Sequence, residues 1–254
     1  MKRPSTITAF LSLFLITIGT IHSQSLTEKE HKQVFQPYKS GVIAYHGYAF
    51  PVVPGTEEWK ALGHQQRVAS LQLPLDTLHS ISTVRLLETC LYYPFNIDIF
   101  AFDDQMASFG RIKEQFNGYA ELYQRPDYVH QLVSLYDSRD VSFVDHITLD
   151  YDKGLYSFDL CILEFMLADA AYLFPESQVS QIVSLLLEKM DQKKQNKVFG
   201  DTNRLIIALA VGRCLSQTNS LSDYSGSTLQ NFLQSGLLTN YDDLVYLFNK
   251  ARKP

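Results

Sequence analysis

The chain of 254 residues is 46% hydrophobic and 19% charged, with a formal net charge of -5; that balance excludes a disordered chain and suits one large or two small globular domains. The acidic excess, with no Lys/Arg run free of interleaved acids and amides, excludes a general attraction to phosphate backbones or anionic lipid, so no nucleic-acid partner is expected. Aromatic residues reach 13%, with 16 Phe, 15 Tyr and a single Trp, enough bulk for a substantial core.

In chain order, residues 1–23 have the pattern of a signal peptide. Lys2 and Arg3 form a short positive region, an apolar run extends from Ile7 to Ile21, and cleavage is expected after Ser23. The run is short for a membrane span and is interrupted by Ser and Thr, so no stable membrane insertion is expected after cleavage. Losing Lys2 and Arg3 takes the formal charge from -5 to -7. The expected location is periplasmic or extracellular.

Residues 24–55 are predicted to be a polar lead-in followed by an extended arm. In GVIAYHGYAFPVVPG (41–55), Pro51, Pro54 and three glycines impose an extended, turn-rich path that packs across helices. A single all-α domain is expected over 56–254. Thr56 caps a first helix, with Glu57 and Glu58 where the helix dipole favours acids. Gln65 to Leu73 forms a second helical piece, and Leu75 to His79 bridges to the next. Ser82 caps a helix with the apolar stripe Leu86, Leu87, Cys90 and Leu91, which Pro94 ends. IDIFAF reads as a short buried helix. Asp103 or Asp104 caps the following one, whose core face is Met106, Phe109, Ile112 and Phe116; Asn117-Gly118 is expected to stop it with a left-handed glycine.

Pro126 opens a helix carrying Val129, Leu132, Val133 and Tyr136. Residues 138–156 are expected to form the longest irregular connection, after which Ser157 caps a very apolar helix, Leu160 to Phe174, ended by Pro175. A longer amphipathic helix uses Val179, Ile182, Leu185, Leu186 and Met190. Asp201 or Thr202 starts RLIIALAVGRCL, apolar on nearly every side and therefore central. Ser227 opens a short helix that Gly236 stops, and Asn240 caps the last one. About nine helices with short Pro, Gly or Asx breaks predict an all-α fold, an irregular stack of antiparallel helix pairs resembling an α-α superhelix, behind an extended Pro/Gly-rich N-terminal arm. No fixed repeat period is visible.

Cys90, Cys161 and Cys214 lie inside apolar helical patterns and are expected to be buried thiols. No HExxH, paired CxxC, GxSxG, GxGxxG or phosphate-binding glycine loop is present, and no cofactor or metal is expected. The richest polar patch, DHITLDYDKGLYSFD, offers His146 with Asp145, Asp150 and Asp152 as candidate catalytic residues, because an acid beside a histidine can orient a general base. It fails the calcium-loop template, where Gly154 and Leu155 stand in place of an oxygen ligand and a glycine. Asp98, Asp103 and Asp104 do not form a convincing glycosidase pair, since Asp103 or Asp104 is needed as a cap. The aromatic set Tyr92, Tyr93, Phe95, Phe100, Phe102, Phe109, Phe116, Tyr119 and Tyr123 fits core packing better than a ligand groove.

PVVPGTEEW (51–59), LQLPLDTLHSIST (71–83), LLETCLYYP (86–94) and FNGYAELYQR (116–125) resemble the N-terminal half of a group of uncharacterised exported bacterial proteins. The shared pattern is a Trp-containing lead-in, a Ser-Thr-capped helix, a Pro stop and a Phe-Asn-Gly turn; Ile81 stands where the group has Met. The resemblance implies an exported helical protein and brings no activity or catalytic residues with it. The leading expectation is a secreted helical interaction module for a protein, peptide or glycan. The alternatives are a hydrolase with its site on the 145–159 loop, and a purely structural accessory domain.

Overall fold

The structure, a computed structural model, describes residues 37–224 and 226–252. The predicted signal peptide and most of the polar lead-in lie outside the described residues. These residues contain helices and no strand, in an all-α fold. None of the helices is long and apolar enough to cross a membrane.

Residues 37–55 carry no helix. Two short helices follow, α1 (Glu57–Ala61) and α2 (His64–Ser70), then α3 (Leu75–Ser80) and α4 (Thr83–Leu91). Their starts follow from local chemistry: Thr56 accepts the Trp59 amide at 3.2 Å and Ser82 accepts that of Arg85, each satisfying an amide that the first turn leaves free. After α4 the chain tightens into a 3-10 helix, Pro94–Ala101. Asn96, buried beneath it, donates to the carbonyls of Cys90 and Leu91 at 2.8 and 2.9 Å and accepts from the Tyr119 hydroxyl. The open C-terminus of α4 is thus closed by a side chain from the next element.

Asp104 caps α5 (Gln105–Gln115), whose Met106, Phe109 and Ile112 are buried as the spacing predicts. Asn117-Gly118 does not stop a helix; it begins α6 (Asn117–Leu122), and Gly118 is not among the residues of positive φ. The reasons are tertiary. The Asn117 side chain accepts from the Leu73 amide and donates to the Leu73 carbonyl. A Cβ on Gly118 would meet the Phe116 ring at 2.4 Å and Leu73 at 2.9 Å, so the residue is small for space, not for conformation.

α7 (Tyr128–Ser138) starts two residues after Pro126, with Asp127 as its N-cap. The stretch 138–156 is not irregular: it holds a 3-10 helix, Val141–His146, and the first two turns of α8 (Asp150–Asp169). Ser157 is therefore a buried mid-helix residue and not a cap. Asp150 and Asp152 sit in the first turn of α8, where the helix dipole favours acids, and Gly154 has open space around it, so nothing breaks the helix there. A 3-10 turn, Ala170–Leu173, leads to α9 (Glu176–Lys194), α10 (Asp201–Gln217), α11 (Ser227–Ser235) and α12 (Tyr241–Ala251). Gly236 ends α11 at φ 78°, as expected of a left-handed cap, and Asn240 caps α12.

The most extensive packing is of α10 against α8, and α10 also packs closely on α9, consistent with its apolar circumference. α12 and α11 cover other sides of α10. In the other half α4 packs on α6 and α7, and α5 on the Pro94–Ala101 turn. Contacts of α7 and α4 with α8, and of α5 with α11, join the halves around one core running from Tyr38 to Leu247. Cys90, Cys161 and Cys214 are free thiols inside it, and burial pushes all three above the usual thiol range.

Candidate functional site

An extended segment laid over helices has a physical problem. Helix backbones are bonded internally and offer no ladder to a passing chain, so its amides and carbonyls need side-chain partners or water. Residues 38–50 solve this with side chains of α4 and α8. Asp152, fully buried, accepts the consecutive amides of Lys39 and Ser40 at 3.1 and 2.8 Å. Glu88 accepts the His46 amide at 2.9 Å, and Arg85 donates to the His46 carbonyl at 2.7 Å. Thr89 accepts the Tyr48 amide at 2.8 Å while donating to the Arg85 carbonyl within its own helix. We call this segment the strap.

Two aromatic anchors seat its ends. Tyr38 is 1% exposed and donates to Asp159 of α8, which also accepts from Tyr92 of α4 at 2.8 Å. The rings of Tyr38 and Tyr45 each meet that of Tyr92 edge-on. Phe50, 5% exposed, packs against Phe116. Between the anchors, Lys39, Ser40, Gly41, Val42 and Ala44 face solvent.

Burial raises the Asp159 carboxyl to about 7, against the lowering effect of the two tyrosine hydroxyls and the Arg139 charge. Burial, and then the Asp159 charge, hold the Tyr38 phenol far above its usual range. These groups are poor candidates for proton transfer to a substrate, because Asp159 is 3% exposed and covered by the strap. One turn further along α8 lies a second enclosed polar group. Glu164 accepts from Lys193 of α9 at 2.6 Å and from Tyr136 of α7 at 2.8 Å, while Lys193 also donates to Asn203 of α10. These contacts fix four helices in register.

The sequence-predicted catalytic residues are each engaged elsewhere. Asp145 is exposed and accepts from Asn196 at 2.7 Å. His146 is exposed, with its ring near Phe143. Asp150 is exposed and pairs with Lys153 three residues on. Asp152 alone is buried, and it holds the strap. Among the described residues no group of three or more His, Cys, Asp or Glu could hold a metal ion. In the aromatic set, Tyr92, Tyr93, Phe109, Phe116 and Tyr119 are buried in the core, whereas Phe102 is 59% exposed under Arg111.

Arg85, Glu88, Thr89 and Tyr38 escaped sequence reasoning as functional residues. A signal did exist in LLETCLYY and SFDLCILEF, where Glu88, Asp159 and Glu164 are acids set among apolar helix positions. A buried acid needs a partner. No family model, curated protein or solved structure matches the chain.

Proposed function

We propose that this chain is a helical interaction module that binds an extended polypeptide in the groove between α4 and α8, and that it acts in the periplasm or outside the cell. One observation carries the reading. The strap's backbone is gripped by the side chains of Asp152, Glu88, Arg85 and Thr89, and among the described residues its one backbone–backbone bond, from the Gly41 amide to the Tyr38 carbonyl, lies within the strap itself. Such a grip is indifferent to most of the bound sequence and leaves selectivity to two aromatic pockets, the division of labour expected in recognition of extended peptides. The export pattern of residues 1–23 and the resemblance over residues 51–125 support the location.

The test uses a fluorescein-labelled peptide of residues 37–50 and the full chain carrying Tyr38→Ala, which vacates one pocket while the remaining core is untouched. Saturable binding by anisotropy is expected, weakened at least tenfold by adding Thr89→Val. Absence of binding by a Tyr38→Ala chain that keeps its helical circular dichroism would refute the groove. Export is checked by mass spectrometry of the secreted or periplasmic protein, where a mature N-terminus at Gln24 is expected.

A further inference from the structure

We infer that two copies of this chain exchange straps, each groove holding residues 38–50 of its partner; the inference rests on the groove reading above. The strap is the one sequence whose fit to the groove is on view, and every bond it makes to α4 and α8 is available unchanged to the same segment of a second copy. Closed monomer and exchanged dimer then contain the same groove contacts. They differ in the state of the hinge and in the concentration term of association.

The hinge is residues 51–55, between the Phe50 anchor and α1. Its turn is closed by the Thr56 amide and hydroxyl, both donating to the Val53 carbonyl, at 3.3 and 3.0 Å. It places Gly55 at φ 96°. That conformation is cheap for glycine and strained for any residue with a Cβ. An added Cβ would meet nothing within 4 Å, so substitution there acts on the backbone conformation of the hinge and on no packing contact. Pro51 and Pro54 stiffen the same five residues and favour the extended path that an exchanged strap takes. A short connector gives the closed form an effective concentration on the order of millimolar, so the wild-type chain is expected to be mainly monomeric at micromolar concentration and to dimerise toward the millimolar range.

The deciding experiment is Gly55→Val in the full chain. A β-branched residue at positive φ disfavours the closed turn roughly tenfold. Each exchanged dimer opens two hinges, so its dissociation constant should fall roughly a hundredfold, to the order of 10 µM. Light scattering after size exclusion at 100 µM should then show doubled mass for Gly55→Val and monomer for wild type. Adding Asp152→Ala and Tyr38→Phe to Gly55→Val should restore the monomer, because the strap can no longer seat in either copy. A monomeric Gly55→Val chain at 100 µM overturns strap exchange, as does a dimer that survives the strap substitutions. If the chain is monomeric but the labelled 37–50 peptide binds, exchange fails and the groove stands; if the peptide also fails to bind, both fall.

Discussion

Lys193→Met is expected to destabilise the fold by about 3–5 kcal/mol at neutral pH, the usual loss when one member of a buried ion pair is removed. The magnitude follows from the enclosure of the site. Lys193 and Glu164 side chains are both 0% exposed, 2.6 Å apart, and Glu164 Oε2 has no hydrogen-bond partner. Without the ammonium the carboxylate keeps the Tyr136 hydroxyl as its remaining donor. Burial already raises Glu164 above the usual carboxylate range, with Lys193 the main opposing influence. Removing that influence sends the carboxyl higher still, so the native state holds a proton that the unfolded state has released above about pH 4. Stability must then fall as pH rises, and the deficit relative to wild type should be larger at pH 8 than at pH 5. For a chain of this size roughly 2–4 °C of melting temperature is lost per kcal/mol, which puts the expected drop near 10 °C. Adding Glu164→Gln replaces the carboxyl, and the proton it must take up on folding, with a neutral amide whose oxygen still accepts from Tyr136, and should recover about half of the loss. Urea and thermal unfolding measure both variants. A single-variant loss below about 1 kcal/mol, or a double variant no better than the single, would show that the pair is not the enclosed charge that these contacts describe.

Three further outcomes follow from the site. Asp159, with its carboxyl raised to about 7 in the folded state, takes up a proton on folding between its unfolded value near 4 and about 7, so its ionisation makes stability fall with rising pH across that window. Asp159→Asn should flatten that slope in urea midpoints measured from pH 4.5 to 8, and an unchanged slope refutes the assignment. Asp152→Ala frees the amides of Lys39 and Ser40, each held at about 3 Å, and should cost about 2 kcal/mol or more; hydrogen exchange should quicken at those amides while α9 and α10 stay protected. Asn96→Ala takes the side-chain donor from the Leu91 carbonyl, whereas that of Cys90 keeps the Tyr119 hydroxyl and the Tyr93 amide, and should cost about 1–3 kcal/mol in denaturant unfolding.

Helix boundaries set by local chemistry were legible. Thr56, Ser82, Asn240 and Gly236 act within a few residues of themselves, and the structure places each in its expected role, while of the two expected caps Asp103 and Asp104 it uses Asp104. Gly118 and Ser157 misled for a common reason. Gly118 is small because Phe116 and Leu73 crowd it, and Ser157 is a buried partner of Asn203; neither cause is visible within a window of neighbouring residues. The groove was less legible still. Tyr38 meets Asp159 across 121 positions and Lys39 meets Asp152 across 113, and no spacing rule links residues so far apart. The arm could be expected to lie across helices, but which side chains receive it depends on packing that only the folded chain defines.

The three enclosed thiols give this fold an internal clock. Cys90 lies on α4, Cys161 on α8 and Cys214 on α10, none more than 4% exposed, and each is held in its unreactive protonated form by its surroundings. An alkylating reagent can reach one of them only while its helix is displaced, because the thiolate is the reacting species. Timed alkylation followed by peptide mapping would therefore time the opening of three named helices separately, without adding a probe.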